Sequence, residues 1–403
     1  MKQATIIILL ILLTLLAGCD AGANPAAAPA AIPVGAVVPL SGAFAGGGAQ
    51  VERGYRMAVE DVNAGGGVYV AQYDRHVPLE LILLDDASDP TQTVAHMESL
   101  AQQGVVAYLG GYGSTLHAAA AAIAEKNAIP YLGVAFALRD PHEAGYHYLF
   151  SPFPKSPDFA APFFEMVNSY VPVGERPTRV AIFQEATDWG IEMAALWQQA
   201  APVHGYEVVV HETYTPGASD YTDLILKAKE AGAELVLALP TPPDGFAMMK
   251  QMGELDYVPA LSYFIRATDV PTWRDLGPIG DYAILASGWH PALGFPGVEA
   301  LNEAHLEEHG RLPDPMVGPA YATVQILADA IARAGTLEPD AIRDALAATE
   351  METVVGPVTF REDGTGVVIM PFAQYQEGEV ELIWPREFAT APLVYPAPPV
   401  GER

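Results

Sequence analysis

The chain has 403 residues with 49 acidic against 20 basic side chains, a formal charge of −29, and one cysteine, Cys19. The excess of carboxylates disfavours DNA, RNA and anionic headgroups, which need basic patches, and one thiol excludes an internal disulfide. The acidic residues are spread along the chain rather than blocked, so disorder is not implied.

Residues 4–19, ATIIILLILLTLLAGC, follow Lys2 and end in Leu16-Ala17-Gly18-Cys19. A charged start, a short apolar core and small residues before a cut site make a secretory signal. The order Leu-Ala-Gly-Cys resembles a bacterial lipobox, with cleavage leaving a lipid-bearing Cys19. An uncleaved anchor is the alternative, but the run is shorter than the ~18 residues of a spanning helix. Residues 1–18 are thus read as signal peptide and residues 19–33, rich in Ala and Pro, as a flexible linker. The rest is expected outside the cytoplasm, tied to a membrane by lipid.

From Val34 short apolar runs alternate with amphipathic stretches. Val34-Gly-Ala-Val-Val-Pro-Leu40, Leu79-Glu-Leu-Ile-Leu-Leu84, Val105-Val-Ala-Tyr-Leu109 and Ile129-Pro-Tyr-Leu-Gly-Val134 fit strands covered on both faces, as in parallel sheets. Helices are predicted over residues 50–63, 91–103 and 116–126. The rhythm restarts after Ser151-Pro-Phe-Pro-Lys-Ser-Pro157, with strands at Arg179-Val-Ala-Ile-Phe183, Glu207-Val-Val-Val-His211, Glu234-Leu-Val-Leu-Ala-Leu239 and Ala260-Leu-Ser-Tyr-Phe264. Between them a helix at residues 221–230 has Asp220 placed to cap it. Such a repeat predicts an α/β protein of two doubly wound lobes, with a single large sheet as the alternative. Later come a strand at residues 283–287, a long helix at 319–334, and an expected hairpin of Gly356-Pro-Val-Thr-Phe360 with Ala373-Gln-Tyr-Gln376. The lobes are assigned as 34–154 plus 288–350 and 155–287 plus 351–384, with a Pro-rich tail at 385–403.

Ligands of open α/β sheets gather at the carboxyl ends of strands. The first such loop, Pro39-Leu-Ser-Gly-Ala-Phe-Ala-Gly-Gly-Gly48, is glycine-rich but is not a dinucleotide fingerprint. The loop Leu109-Gly-Gly-Tyr-Gly-Ser-Thr115 runs into an alanine-rich helix, with Ser114 and Thr115 at or beside its N-cap. Free N–H groups and the helix dipole there attract an anion; plain capping is the other use of these residues. His142 and His147 lie five apart without a third ligand, so no metal or other cofactor is expected. Ser114 is not in G-x-S-x-G, and no acid, base or nucleophile set marks an enzyme.

Several segments in order resemble the leucine/isoleucine/valine-binding family of type I periplasmic binding proteins. They are Val38-Pro-Leu-Ser-Gly42, Arg53-Gly-Tyr-Arg-Met-Ala-Val-Glu-Asp-Val-Asn-Ala-Gly-Gly66, Leu84-Asp-Asp-Ala-Ser-Asp-Pro90, Asp188-Trp-Gly190, Gly217-Ala-Ser-Asp-Tyr221 and Gly356-Pro-Val-Thr-Phe360. The likeness spans roughly residues 34–384. It implies Rossmann-like lobes joined by a three-stranded hinge and closing on a small molecule, with ABC permease and ATPase subunits as partners. A ligand sensor of the same fold is the second function it allows. It also implies that Ser114 meets a ligand carboxylate, that backbone groups of Ala135 and Ala137 take part, and that Trp189 closes over the ligand. Amino-acid binders of the family carry a hydroxyl residue where Ala137 stands, a glutamate near Phe264, and often a tyrosine where Gly47 stands. With those groups missing, Trp189, Phe264, Tyr112, Phe44 and Trp289 are expected to form an aromatic cleft, Gly47 to open space, and Thr115 and Thr241 to be further ligand contacts. A compact organic acid or aromatic compound is then favoured over leucine, with Glu185, Asp188 or Asp244 as the substitute carboxylate if the ligand is an amino acid.

Overall fold

The computed structural model describes residues 28–286 and 288–403; residues 1–18, read above as a signal peptide, Cys19 and most of the segment read as a linker lie outside the described residues. In chain order β1 (Ile32–Val38) leads to α1 (Ala45–Ala64), a hairpin of β2 (Val68–Val70) and β3 (Arg75–Val77), β4 (Leu79–Asp85), α2 (Pro90–Gln102), β5 (Ala107–Leu109), α3 (Ser114–Asn127), β6 (Tyr131–Leu132), the single turn α4 (Asp140–Glu143) and β7 (Leu149–Phe150). Strands β4-β1-β5-β6-β7 form a parallel sheet in that order. Residues of β1, β5, β6 and β7 are nearly all buried because helices cover both faces, which is why they read as apolar runs, while the edge strand β4 is mostly half-buried with Glu80 exposed.

The second half repeats the plan: α5 (Ser156–Tyr170), β8 (Arg179–Glu185), α6 (Asp188–Val203), β9 (Glu207–Tyr214), α7 (Thr222–Glu230), β10 (Leu235–Ala238), α8 (Pro242–Glu254), β11 (Leu261–Phe264) and β12 (Ala283–Leu285). Asp220 binds the Thr222 N–H at 2.9 Å, doing the predicted cap's work from one residue before the N-cap position. Then α9 (Val298–His309), α10 (Val317–Ala334) and α11 (Pro339–Ala347) return to the first lobe. There α10 lies on α1 at Gly54, where any Cβ would sit 2.4 Å from the Val317 carbonyl oxygen. Only glycine permits that approach.

The chain closes with β13 (Glu350–Thr353), β14 (Gly356–Phe360), β15 (Gly366–Val367), β16 (Phe372–Gln376) and β17 (Glu379–Trp384). Here two expectations are corrected. Gly356–Phe360 does not pair with residues 373–376; it joins β13 and β15, while β16 runs antiparallel to β12 and β17 in the second sheet, β17-β16-β12-β11-β10-β8-β9. Both strands carry suitable patterns, but β16 finds a partner in the open edge at β12. Residues 351–367, assigned above to the second lobe, pack on the first instead. Phe360 meets Phe150 at 5.3 Å, and Ser151 bridges Thr365. The chain therefore crosses between lobes at residues 151–155, 286–297 and 368–371. The tail lies along the second lobe, with Ala397 N–H on the Ala260 carbonyl at 2.9 Å.

Candidate functional site

Loops at the carboxyl ends of strands from both sheets meet in one cleft, where the doubly wound plan collects ligands. From the first lobe come Tyr112 and Gly113 after β5, Ala135 and Ala137 after β6, and Phe153 after β7. The second lobe supplies Trp189 at the start of α6, Phe159 of α5, and Ile265, Arg266 and Asp269 after β11; Ala286 and Met316 complete the wall. The free space among them, mouth included, is about 300 Å³.

Aromatic side chains are held in fixed poses. Trp189 donates its indole N–H to Ser156 Oγ at 3.1 Å and meets Phe159 edge-on at 6.3 Å. Ser156 passes its own hydroxyl to the Ala137 carbonyl at 3.0 Å, so the ring is tied to the opposite wall. The Tyr112 hydroxyl lies 3.0 Å from Asp269 Oδ2 and 3.3 Å from the Arg266 carbonyl, crossing between lobes. Burial, then the Asp269 charge, pushes its pKa well above the ordinary tyrosine range, so it stays a donor.

Arg266 is the charged centre of the cleft. The chain turns sharply there: φ is +72° and ψ −50°, and the Ala267 N–H reaches the Ile265 carbonyl at 2.8 Å. This is the strained form of the γ-turn, a conformation costing on the order of 1–3 kcal/mol and concentrated at functional sites. The guanidinium sits between the rings of Phe44 and Trp189, 5.3 and 5.5 Å from their centroids. Its Nη2 donates to Glu185 Oε2 and to the Leu239 carbonyl, and its Nε to the Pro240 carbonyl at 3.3 Å. Burial is the largest influence and works against this charge, but the Glu185 carboxylate together with Tyr214 and Tyr112 outweighs it and raises the arginine's pKa. Removing either partner would leave a buried charge uncompensated, at a cost of roughly 3–5 kcal/mol.

At the other pole α3 begins. Gly113, with φ +109°, is its N-cap and Ser114 its first residue. Ser114 Oγ accepts from the Leu138 N–H at 3.3 Å, joining the β5 and β6 loops. Two successive strand-end loops thus present a hydroxyl and the positive end of a helix beside the cleft.

Residues 31–379 match the family described as "Periplasmic binding protein". The chain belongs to this family. Membership makes it an extracytoplasmic solute-binding protein. It is 25% identical over 382 residues to Leu/Ile/Val-binding protein homolog 7 of Brucella abortus, covering 90% of this chain and 94% of that one. A leucine binding protein from Thermotoga maritima superposes with a TM-score of 0.78 at 20% identity, covering 87% and 97% of the two chains. A solute binding protein of an ABC transporter from R. palustris, in complex with benzoate, superposes with a TM-score of 0.75 at 17% identity, covering 91% and 98%. These solved structures confirm two lobes of the type I fold.

Within this periplasmic binding protein, Tyr112, Ala135, Ala137 and Trp189 line the cleft, and Ser114 is buried directly behind Gly113. Phe44 stands at the edge, over Arg266. Other expected residues lie elsewhere. Phe264, the last residue of β11, is fully buried against Trp273 inside the second lobe, because a strand residue facing the helix layer cannot also face the cleft. Thr115 is exposed on the outer side of α3. Thr241 caps α8 through the Asp244 N–H at 3.4 Å, and Trp289 donates to the Val354 carbonyl at 2.8 Å in the core. Gly47 opens no space: a Cβ there would stand 2.5–2.6 Å from three atoms of the Tyr112 ring, which fills the room. Of the substitute carboxylates, Glu185 pairs with Arg266, Asp188 is exposed, and Asp244 binds the Gly217 N–H at 3.0 Å. His142 and His147 have separate partners, the Asp363 carbonyl and Glu125. Sequence reasoning missed Arg266, Asp269, Phe153 and Phe159. The one available signal was the expected clamp near Phe264, since Arg266 lies two residues beyond it in the loop.

Proposed function

We propose that this protein is the solute-binding component of an ABC importer and captures a small organic carboxylate with an apolar or aromatic body. The observation that carries the reading is the two-ended cleft: the start of α3 with Ser114 on one side, and Trp189 with Phe153 and Phe159 as the apolar wall. The carboxylate takes the helix end, where N–H groups and dipole favour negative charge. The rings cover its body and exclude water as the lobes meet. Family relatives that bind leucine or benzoate frame the same range of compact carboxylates. The Leu16-Ala-Gly-Cys19 order supports a lipid on Cys19 that keeps the protein beside its permease; the intact mass of membrane-extracted protein, diacylated or triacylated at Cys19, is the check on that point.

A ligand at a hundred times its Kd adds about 2.7 kcal/mol to stability, so a thermal-shift screen of aromatic and aliphatic carboxylates, amino acids, polyols and amides reads the class directly. Carboxylates should raise Tm and polyols should not. In calorimetry with the best of them, Ser114→Ala should weaken binding roughly 10- to 150-fold, the loss of one hydrogen bond to a charged group. Unchanged affinity would make Ser114 a helix residue only, and shifts confined to polyols or amides would overturn the carboxylate reading.

A further inference from the structure

Lys155 ends the first crossover between the lobes, and its buried ammonium is met by neutral groups. It donates to the Phe136 carbonyl and to Ser151 Oγ at 2.7 Å, and it stands 4.2 Å over the Phe136 ring. Among the described residues it makes no ion pair. Three carboxylates act on it from further off, and each is engaged elsewhere. Glu192 accepts the Arg139 N–H at 3.1 Å, Asp158 the Lys155 N–H at 2.9 Å and Asp363 the Thr365 N–H at 3.0 Å. His117 and His142, packed on the same ring, bring no negative charge. Burial, the largest influence, holds the Lys155 pKa well below the ordinary lysine range against the pull of those carboxylates. An amide side chain could satisfy two neutral acceptors as well, whereas a buried charge without a counter-ion is costly.

The cleft lies on the other side of this contact. Phe136 stands between Ala135 and Ala137, both part of the cleft wall. The peptide joining Phe136 to Ala137 is trans, so its C=O and N–H leave from opposite edges. With the carbonyl on the ammonium, the Ala137 N–H faces away from Lys155. The ammonium polarises that peptide and strengthens its N–H as a donor. Ser114, at the start of α3, is tied to the same loop through the Leu138 N–H.

We propose that Lys155 is the counter-charge of the ligand's carboxylate, acting from behind the loop after β6 through the Phe136–Ala137 peptide, so that the site prefers an anion to a neutral group of the same shape. This rests on the carboxylate reading of the same cleft. Lys155 is not in the cleft wall, so it is a positioning residue that sets the potential where the carboxylate sits. One peptide with a hydrogen bond at each end keeps the two charges roughly 7–8 Å apart. At that separation and an effective dielectric constant near ~20 the attraction corresponds to roughly 30- to 50-fold in affinity, less where salt screens it.

The test uses the full mature chain and two acids paired with their primary amides: benzoate with benzamide, and 4-methylpentanoate with 4-methylpentanamide. Lys155→Gln keeps an N–H donor for the Phe136 carbonyl and removes the charge. In calorimetry it should weaken the acid roughly 10- to 50-fold while moving the amide by less than about threefold. A residue that only holds the loop would, when replaced, weaken acid and amide alike. That result, or an unchanged preference for the acid, would overturn the role of Lys155. Lys155→Met, apolar and of similar length, is the second variant should the first melt early, and it should narrow the preference as much. If the acids bind the unaltered protein and their preference survives both substitutions, this proposal falls and the carboxylate reading stands. If neither acid binds, both fall.

Discussion

Gly47 shows how a single missing side chain can build a site. It lies in the first turn of α1, and Tyr112 packs its ring against the bare backbone, 2.5–2.6 Å from where a Cβ would be. The ring cannot retreat cheaply, because its hydroxyl is held by Asp269. Gly47→Ala sets two effects against each other. Alanine gains up to ~1 kcal/mol of helix propensity, while overpacking costs about 1–3 kcal/mol. With three ring atoms in the way, overpacking should win. The variant should melt a few degrees lower and bind its ligand more weakly, since Tyr112 is pushed off Asp269; a higher Tm would show that the ring gives way. The large residues that a sequence reading puts in the cleft divide on similar grounds. Trp189 follows the end of β8 and faces the other lobe, whereas Phe264 sits inside β11 and faces the helices.

Among elements, the start of α3 and the loop after β6 are welded by a buried basic cluster. His117 of α3 stacks on Phe136 at 4.7 Å and lies 2.6 Å from the Tyr131 hydroxyl through Nδ1. His142 of α4 lies 5.4 Å from the same ring, and the Lys155 ammonium stands 4.2 Å above it. Facing these groups are Asp363 and Arg139 near His142, with Glu192 and Asp158 acting on Lys155. Burial, then the Lys155 charge, lowers both histidines from 6.5 to about 3. The sign follows from linkage. Between about pH 6.5 and 3 the unfolded chain binds two protons that the folded chain refuses, so stability falls as pH falls. Each histidine contributes up to about 1.4 kcal/mol per pH unit well below 6.5. Urea midpoints measured at pH 7, 6 and 5 should drop steadily, ahead of the carboxylates, and His117→Gln with His142→Gln should flatten that decline. An equal slope in the double variant would assign the loss to other groups.

For the whole molecule, the question is what holds two lobes together around a small volume. Glu192 of α6 reaches across the cleft and accepts the Arg139 N–H at 3.1 and 3.2 Å and the Asp140 N–H at 3.3 Å. On the other side Gln50 of α1 donates to the Asp269 carbonyl at 2.8 Å and accepts from the Met316 N–H at 3.0 Å. Neither side chain is part of the cleft wall, so each biases closure without touching ligand. Glu192→Ala removes half-exposed but charge-assisted bonds worth about 1–2 kcal/mol together. It should weaken ligand binding roughly 5- to 30-fold and enlarge the radius of gyration in small-angle scattering without added ligand. A variant with unchanged affinity and scattering would show that Glu192 only caps α4.

The amino-acid sequence by itself determined the strands, the helices and the two-lobe plan. A run such as Leu235–Ala238 is apolar on every side because both faces of a parallel sheet are covered there, a demand that a short window of the chain displays. It also showed Ser114 at the head of its helix, since caps and turns are local, while Trp189 came only from the family resemblance. Only the tertiary structure decided which strand would take Phe372–Gln376, that Tyr112 would fill the room beside Gly47, and that Arg266 would be the charged centre. The reason is distance along the chain. Tyr112 and Arg266 meet across 154 residues, and periodicity reports which face of an element is buried, never which far-off loop completes it.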